Sequence, residues 1–270
     1  MRVIAHISDL HFGRDDPQVT EMLIADLRAQ RPDLVAVSGD LTQRARPREF
    51  AAAREFLDRL AVPTVAVPGN HDVPLYDLAR RAFRPLARFR RAIAPPHPLY
   101  SDRELAVLGV STAQAGVFTG GRIARRDLAA IRRSFAPLPE ATLRALVMHH
   151  PLMAPPDAPG QSILSHAEHA LAAIAEAGIA LLLTGHYHRS FSAPLATCRI
   201  WPRSTILVSQ AGTATSTRRR DEANSYNLLA IDGQRISCTR RAFDGHGFAA
   251  RERQDHALPG AADAPGPMVR

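Results

Sequence analysis

The stretch Thr64-Val65-Ala66-Val67-Pro68-Gly69-Asn70-His71-Asp72 joins a short apolar run to a turn that carries three potential metal ligands. Short runs of Val, Ile, Leu and Ala are typical of buried strands. Four other such runs also end in Asp or His: residues 3–7 before Asp9 and His11, 34–37 before Asp40, 143–148 before His149 and His150, and 179–183 before His186 and His188. The ligand-type residues are therefore predicted at the carboxyl ends of strands.

Helical patterns alternate with these strands. They cover residues 18–29, 47–60, 125–135 and 165–177, and such alternation indicates an α/β fold. Carboxyl ends of neighbouring strands meet in one crevice, which is where open α/β sheets place their sites. After His188 the pattern changes to strands without helices, at residues 206–209, 227–231 and 236–241, and this change predicts a second sheet.

The side chains in these turns are carboxylates, imidazoles and one amide, with no thiolate. This mixture suits Mn, Fe, Zn, Co or Ni better than a structural zinc cage or a calcium loop. If the turns are extended, residues two apart point the same way, so that Asp9 with His11, and His186 with His188, face the metals together. Gly39, Gly69 and Gly185 directly precede ligands, where the backbone must turn tightly or approach the metals closely.

The motif order D-x-H, G-D, G-N-H-D, H-H-P and G-H-x-H resembles the calcineurin-like metallophosphoesterases over roughly residues 3–245. The resemblance implies a four-layer α/β/β/α sandwich of two mixed sheets flanked by helices. It also implies two divalent or trivalent transition-metal ions, one held by Asp9, His11, Asp40 and His188, and the other by Asp40, Asn70, His149 and His186. Asp40 would bridge them, since two close cations need a shared anionic ligand.

By the same resemblance, the two metals generate a hydroxide that attacks phosphorus in line. His71 is the candidate catalytic acid, because an imidazole titrates in the range where it can protonate a leaving alkoxide. Asp72 either holds His71 or caps the turn. Consecutive side chains at a strand end point to opposite faces, so His149 and His150 compete for one ligand position; we favour His149, with His150 in an outer role or simply packed.

The motifs H-H-P and G-H-Y-H and the single-domain length most resemble the class III cyclic nucleotide phosphodiesterase branch. Phosphodiesterases or phosphomonoesterases acting on glycerophosphodiesters, other small phosphoesters or nucleic acid are the alternatives. A metal-binding scaffold without activity is a different class of function, which the complete ligand set argues against. We expect a small phosphoester as the partner, and the Leu- and Phe-bearing helix faces leave room for a homodimer.

Length and composition predict a single domain, because 270 residues with 46% hydrophobic content suffice for one large core. The resemblance implies that this is a metallophosphoesterase domain, residues 1–247. Residues 248–270 are polar and then rich in Pro, Ala and Gly, which predicts a disordered tail. A strand directly after Met1 and the lack of a long apolar run predict a cytoplasmic protein. The net charge of +8 comes with arginine and no lysine, a coding-composition bias that gives little support to a nucleic-acid or membrane partner.

One arginine-rich segment follows the GNHD turn. Apolar residues recur there at steps of three or four between residues 76 and 93, which predicts one amphipathic helix bordering the site. Its arginines either contact an anionic substrate group or are simply solvated. A second segment, residues 210–220, places small hydroxyl residues beside Arg218, Arg219 and Arg220. It fits either a phosphate contact or an exposed hairpin tip.

Overall fold

The computed structural model describes residues 1–116, 120–155, 158, 160–161, 163–198, 201–202, 204–219 and 222–258. Within them the strands are β1 (Arg2–Ile7), β2 (Leu34–Val37), β3 (Thr64–Ala66), β4 (Leu99–Ser101), β5 (Leu105–Gly109), β6 (Leu143–Val147), β7 (Leu181–Thr184), β8 (Phe191–Pro194), β9 (Leu207–Gln210), β10 (Ser225–Asp232), β11 (Arg235–Phe243) and β12 (Phe248–Ala257). The α-helices are α1 (Pro17–Gln30), α2 (Pro47–Leu60), α3 (Leu78–Phe83), α4 (Ala87–Ala92), α5 (Arg125–Phe135) and α6 (Ala167–Glu176).

These strands form two six-stranded mixed sheets. The first has the order β12-β11-β10-β1-β2-β3, with β1, β2 and β3 parallel and β10 antiparallel to β1. The second has the order β4-β5-β6-β7-β9-β8, and its four central strands are parallel. The ligand motifs follow five of these strands: β1, β2 and β3 in the first sheet, and β6 and β7 in the second. These strands are parallel within each sheet, so their carboxyl ends share one edge of it.

The sheets stack face to face with helices outside, which is the predicted α/β/β/α sandwich. Alternation along β1 shows why: Ile4 packs between the sheets, whereas Ala5 and Ile7 pack under α1 and α2. A third apolar cluster lies between the second sheet and helices α5 and α6. Burial on both faces explains the continuous apolar runs of the parallel strands.

The arginine-rich segment is not the single helix that the apolar spacing predicts. It forms α3 and α4, separated at Arg84 and Pro85. Proline removes a backbone donor and disfavours helical conformation in the residue before it, and Arg84 has φ −145° and ψ 55°. Phe89 packs into the core, whereas Phe83 is 85% exposed. The break therefore divides one apparent amphipathic face into two.

Two other expectations were wrong. The strands after His188 do not form a separate sheet: β8 and β9 join the second sheet, whereas β10, β11 and β12 extend the first. The predicted disordered tail from residue 248 begins with β12, which pairs antiparallel with β11. An edge strand gains main-chain hydrogen bonds while its polar side chains face solvent, so low apolar content did not exclude it. The rest of that tail, residues 259–270, lies outside the described residues.

No helix in the described ranges is both long and apolar enough to cross a membrane.

Candidate metal centre

Five of the predicted ligands lie in left-handed backbone conformations at the ends of their strands: Asp9, His11, Asp40, His186 and His188, with φ between 49° and 83°. The extended geometry expected for the Asp9–His11 and His186–His188 pairs is therefore wrong. Left-handed conformations cost non-glycine residues roughly 1–2 kcal/mol each, and they persist only where surrounding contacts enforce them. Here a tightly packed set of loops does so.

Main-chain hydrogen bonds hold those loops together. The amide of Asp9 donates to the carbonyl of Gly39 over 3.1 Å, and the amide of His11 donates to the carbonyl of Asp40 over 2.9 Å. The amide of His186 donates to Oδ2 of Asp9 over 3.1 Å. The strand ends of both sheets are thus connected directly at the site.

The glycines before the ligands meet the predicted need for close approach. A Cβ at Gly69 would overlap the carboxylate of Asp40, and one at Gly185 would overlap the hydroxyl of Ser8. Gly39 has φ +98° and lies against the ring of His149. Side chains at these positions would push the ligand-bearing loops apart.

We call Asp9, His11, Asp40 and His188 the enclosed cluster. Nε2 of His188 lies 3.2 Å from Oδ1 of Asp9 and 3.3 Å from Nε2 of His11. Nε2 of His11 lies 3.8 Å from Oδ2 of Asp40. No member is more than 7% exposed. The first predicted set of metal ligands is therefore gathered around one buried point.

We call Asp40, Asn70, His149 and His186 the open cluster. Nε2 of His149 lies 3.4 Å from Oδ2 of Asp40, 3.2 Å from Oδ1 of Asn70 and 3.3 Å from Nδ1 of His186. Asn70 and His186 are partly exposed. Oδ2 of Asp40 thus faces both clusters, while its Oδ1 accepts a hydrogen bond from the amide of His71 over 2.8 Å.

Backbone carbonyls orient the rings. Nδ1 of His149 lies 2.7 Å from the carbonyl of Ser38, and Nδ1 of His188 lies 2.9 Å from the carbonyl of Arg218. A carbonyl can only accept, so each Nδ1 carries the proton and donates. In the neutral form of each ring, Nε2 then has a lone pair directed into its cluster, which is the arrangement that a metal-binding imidazole requires.

The electrostatics of the site favour cations. Although burial opposes ionisation, neighbouring imidazoles hold the pKa values of Asp9 and Asp40 well below their usual range. Burial also opposes a charged His149, yet the negative charge of Asp40 raises the pKa of His149 to about 9. Burial, followed by the charge of His149, lowers the pKa of His186 to about 4. A buried carboxylate that stabilises the protonated form of a neighbouring imidazole to this extent will also attract a metal ion.

Two features of the donor atoms fit metal ions: the distances between them, and a buried oxygen that lacks a hydrogen-bond partner in the part of the chain that the structure describes. Ligands bound at about 2.1 Å and separated by 90–110° lie about 3.0–3.4 Å apart, close to the 3.2–3.8 Å separations measured in both clusters. Oδ1 of Asp9 is buried and accepts no hydrogen bond within the described residues. Such an atom is costly unless something binds it. The residues present therefore fit two transition-metal ions, whose identity they leave open.

His150 lies beside the open cluster. Its Nδ1 is 2.7 Å from Oγ1 of Thr112, and its Nε2 is buried without a hydrogen-bond partner among the described residues. The donor atoms of His149, His150 and His186 all lie within 4.8 Å of one another. The geometry thus places His149 against Asp40 and Asn70, and His150 one step further out on Thr112.

Asp72 caps its own turn, and its carboxylate accepts from Gly69, Leu41 and Thr42, whereas the ring of His71 has Gln43 and Arg218 as partners. Oδ2 of Asp72 accepts from the amides of Gly69 and Leu41 over 2.9 and 3.1 Å, and its Oδ1 accepts from the amide of Thr42 over 2.8 Å. It therefore ties the GNHD turn to the loop of Asp40. Burial, followed by the charge of Asp40, raises the pKa of Asp72 to about 6.

His71 lies at the mouth between the clusters and is partly exposed. Its Nδ1 is 2.9 Å from the carbonyl of Gln43, so Nδ1 donates and Nε2 points outward. Nη1 of Arg218 lies 3.2 Å from that Nε2. From the sequence, the segment that contains Arg218 was a candidate phosphate contact, but the contact of Arg218 with His71 was not predicted. Thr112 was not predicted to lie near the site.

Similarities to known proteins agree with this geometry. Residues 2–190 match the calcineurin-like phosphoesterase family. The chain is 38% identical over 81 residues to the glycerophosphodiester phosphodiesterase GpdQ of Enterobacter lignolyticus, a match that covers 26% of this chain and 29% of that protein. It is 28% identical over 256 residues to a cAMP/cGMP dual specificity phosphodiesterase of Mycobacterium tuberculosis, covering 85% of this chain and 76% of that protein. The first match thus spans less than a third of that relative's length.

Among solved structures, the fold resembles the purple acid phosphatase PPD1 of yellow lupin. The TM-score is 0.73 at 12% identity, covering 99% of this chain and 57% of that one. This likeness concerns the fold alone. The family match extends over most of the chain and includes every strand end that carries a predicted ligand. The chain therefore belongs to the calcineurin-like phosphoesterase family.

Proposed function

We propose that this protein is a phosphodiesterase with two metal ions, and that its substrate is a small phosphodiester of the 3',5'-cyclic nucleotide class. The observation that carries the proposal is Oδ2 of Asp40, which lies 3.8 Å from Nε2 of His11 and 3.4 Å from Nε2 of His149. One carboxylate oxygen thereby joins two complete sets of donors. Bound metal ions would supply an activated water and neutralise charge on the phosphoryl oxygens.

In this proposal the enclosed cluster takes Asp9, His11, Asp40 and His188 as ligands, and the open cluster takes Asp40, Asn70, His149 and His186. The Nδ1 contacts of His149 and His188 to carbonyls keep their Nε2 lone pairs directed inward. The amide of His71 holds the other oxygen of Asp40, so that the shared carboxylate cannot rotate away. These contacts prepare the donors before any metal arrives.

His71 is the proposed proton donor to the leaving group. Its ring is fixed by the carbonyl of Gln43, and its Nε2 faces the mouth, where the leaving oxygen of a bound ester would lie. Asp72 supports it indirectly by fixing the turn on which it stands. His150, held by Thr112, packs behind the open cluster and supports the rings of His149 and His186.

The cyclic nucleotide class is supported by the relative from Mycobacterium tuberculosis, whose similarity extends over most of the chain. Glycerophosphodiesters are the second candidate class, supported by the shorter match to GpdQ. The cytoplasmic location, the homodimer and the lack of a nucleic-acid or membrane partner stay predictions from the sequence.

A substrate panel tests the proposal. Metal-stripped protein reloaded with Mn is assayed on bis-p-nitrophenyl phosphate, cyclic AMP, glycerophosphocholine and single-stranded DNA at two salt concentrations, with Asp40→Ala as the inactive control. We expect cyclic AMP turnover comparable to that of the chromogenic diester, with shallow salt dependence. Glycerophosphocholine as the best substrate would favour the second class. Activity on DNA that falls steeply with salt would contradict both, because counterion release marks nucleic-acid binding.

A further inference from the structure

Arg218 is held in place through its backbone. Its amide donates to Oγ of Ser216 over 3.1 Å, and its carbonyl accepts from Nδ1 of His188 over 2.9 Å. The segment before it is anchored as well, because the amide of Thr217 donates to the carbonyl of Arg14 over 2.9 Å. The loop that bears Arg218 is therefore attached to the enclosed cluster and to the loop after β1.

The side chain of Arg218 is exposed and extends to the mouth of the site. Its Nη1 lies 3.2 Å from Nε2 of His71, although the two residues are 147 positions apart in sequence. A guanidinium can only donate, and Nδ1 of His71 already donates to the carbonyl of Gln43. The guanidinium thus donates a hydrogen bond to the lone pair of Nε2, on the side where a leaving group would lie.

This contact is weaker than the one that a phosphoester would offer. An arginine binds an anionic oxygen more strongly than a neutral imidazole, and it can do so with two parallel hydrogen bonds. A bound phosphoester would therefore take the guanidinium from His71. The exchange would also free the lone pair of Nε2 of His71, which would have to take up a proton before the ring could protonate the leaving oxygen.

We propose that Arg218 is a substrate-binding residue whose guanidinium binds a phosphoryl oxygen of the ester at the mouth between the two clusters, in exchange for its contact with His71. The proposal rests on the proposed function for the identity of the substrate. The anionic ligand that it requires is the phosphoryl group alone, so inorganic phosphate serves as the probe.

The test compares Arg218→Ala and Arg218→Lys with Arg219→Ala, which removes the same charge from the adjacent exposed position. Phosphate affinity of the Mn-loaded protein is measured by calorimetry, and KM and kcat on bis-p-nitrophenyl phosphate by absorbance. We expect Arg218→Ala to weaken phosphate binding and raise KM by about 10- to 100-fold, with Arg218→Lys intermediate. Metal content should not change, because the carbonyl that holds His188 is kept. Arg219→Ala should resemble wild type.

A double-mutant cycle with His71→Ala separates direct binding from positioning. If Arg218 binds phosphate itself, Arg218→Ala weakens phosphate binding in the His71→Ala background as well. If Arg218 only positions His71, its effect disappears in that background, and the proposal is overturned. Equal phosphate affinity in wild type and Arg218→Ala would also overturn it. Lack of turnover on every ester, with phosphate affinity still dependent on Arg218, would instead refute the proposed function alone.

Discussion

The enclosed and open clusters share Asp40 but differ in exposure. In the enclosed cluster Asp9 and His11 are fully buried and His188 is 7% exposed. In the open cluster His149 is buried, but Asn70 and His186 are partly exposed. The enclosed cluster also has two carboxylates, whereas the open cluster has one carboxylate and a neutral amide.

From this difference we expect the enclosed and open clusters to bind their metal ions differently. A dry cluster with two negative charges should hold its ion tightly and exchange it slowly, because charge interactions strengthen away from water. A cluster with an amide ligand and a solvent-facing side should bind its ion less tightly and leave room for substrate. His71 and Arg218 both reach solvent, but the ring of His71 packs against His11 and the carbonyl of Arg218 holds His188, so the enclosed cluster also borders the mouth of the site.

Asp40→Ala should disrupt both clusters and thereby remove the difference between them. The variant loses the oxygen shared by the two clusters, so we expect metal content near zero and turnover reduced by more than about 1,000-fold. Mass spectrometry of the desalted protein and a diesterase assay measure both. Asp77→Ala, which removes a charge from a half-exposed position, is the control. Normal metal content in Asp40→Ala would refute the bridging assignment.

Asp9→Ala and Asn70→Ala should separate the clusters. Asp9→Ala removes a buried charge, and we expect it to lose one metal ion that excess Mn does not restore. Asn70→Ala removes a neutral ligand, and we expect the open cluster to bind its ion about 10- to 100-fold more weakly, with activity recovered by excess Mn. Metal titration followed by activity measures the contrast. Identical recovery in the two variants would show that the clusters are equivalent.

His71→Ala tests the chemistry at the mouth of the site. We expect normal metal content, a loss of about 100-fold or more on esters with poor leaving groups, and a much smaller loss on nitrophenyl esters, which need little protonation. His97→Ala, at a partly exposed histidine that contacts Asp127, is the control. Equal losses on both classes of ester would indicate that His71 positions the phosphate instead.

His6→Gln should have the smallest effect and addresses the layer behind the site. His6 lies between the sheets, with Nδ1 3.2 Å from Oγ of Ser209 and Nε2 2.9 Å from Oγ of Ser38. Burial lowers the pKa of His6 to about 3. Because the unfolded chain binds this proton near pH 6.5 and the folded chain does not, stability falls as the pH drops from 6.5 towards 3, by at most ~1.4 kcal/mol per pH unit.

Urea unfolding of metal-free protein between pH 4 and 7 measures this slope. We expect a shallower slope in His6→Gln than in wild type, since the variant has lost the titrating ring. The same substitution at the exposed His246 is the control. Parallel curves for wild type and His6→Gln would show that His6 does not titrate on unfolding.

Patterns among neighbouring residues predicted individual helices and strands. Helices α2 and α5 have the predicted bounds, as does β2. Pro85 indicated a break in the helix from the sequence as well. The apolar spacing of three to four residues nevertheless led to the prediction of a single helix. Strand β12 could not be predicted from apolar content, because its pairing with β11 depends on main-chain hydrogen bonds that any side chain permits.

The site shows the same division. The ligand-type residues stand in compact motifs, so the sequence could predict them, and the structure brings their side chains together. Their left-handed conformations were not predicted, because Asp and His tolerate that region without a glycine to signal it. The contact of Arg218 with His71 spans 147 positions. No local pattern could predict it.

The sequence by itself determined the strands and helices around the ligand motifs, the donor types and the family resemblance, because each depends on residues within a few positions of one another. Only the tertiary structure decided which sheet each late strand joins, that Oδ2 of Asp40 faces both clusters, and that one cluster is enclosed and the other open. Those features arise where loops from two sheets pack together, and packing between distant segments depends on the whole fold.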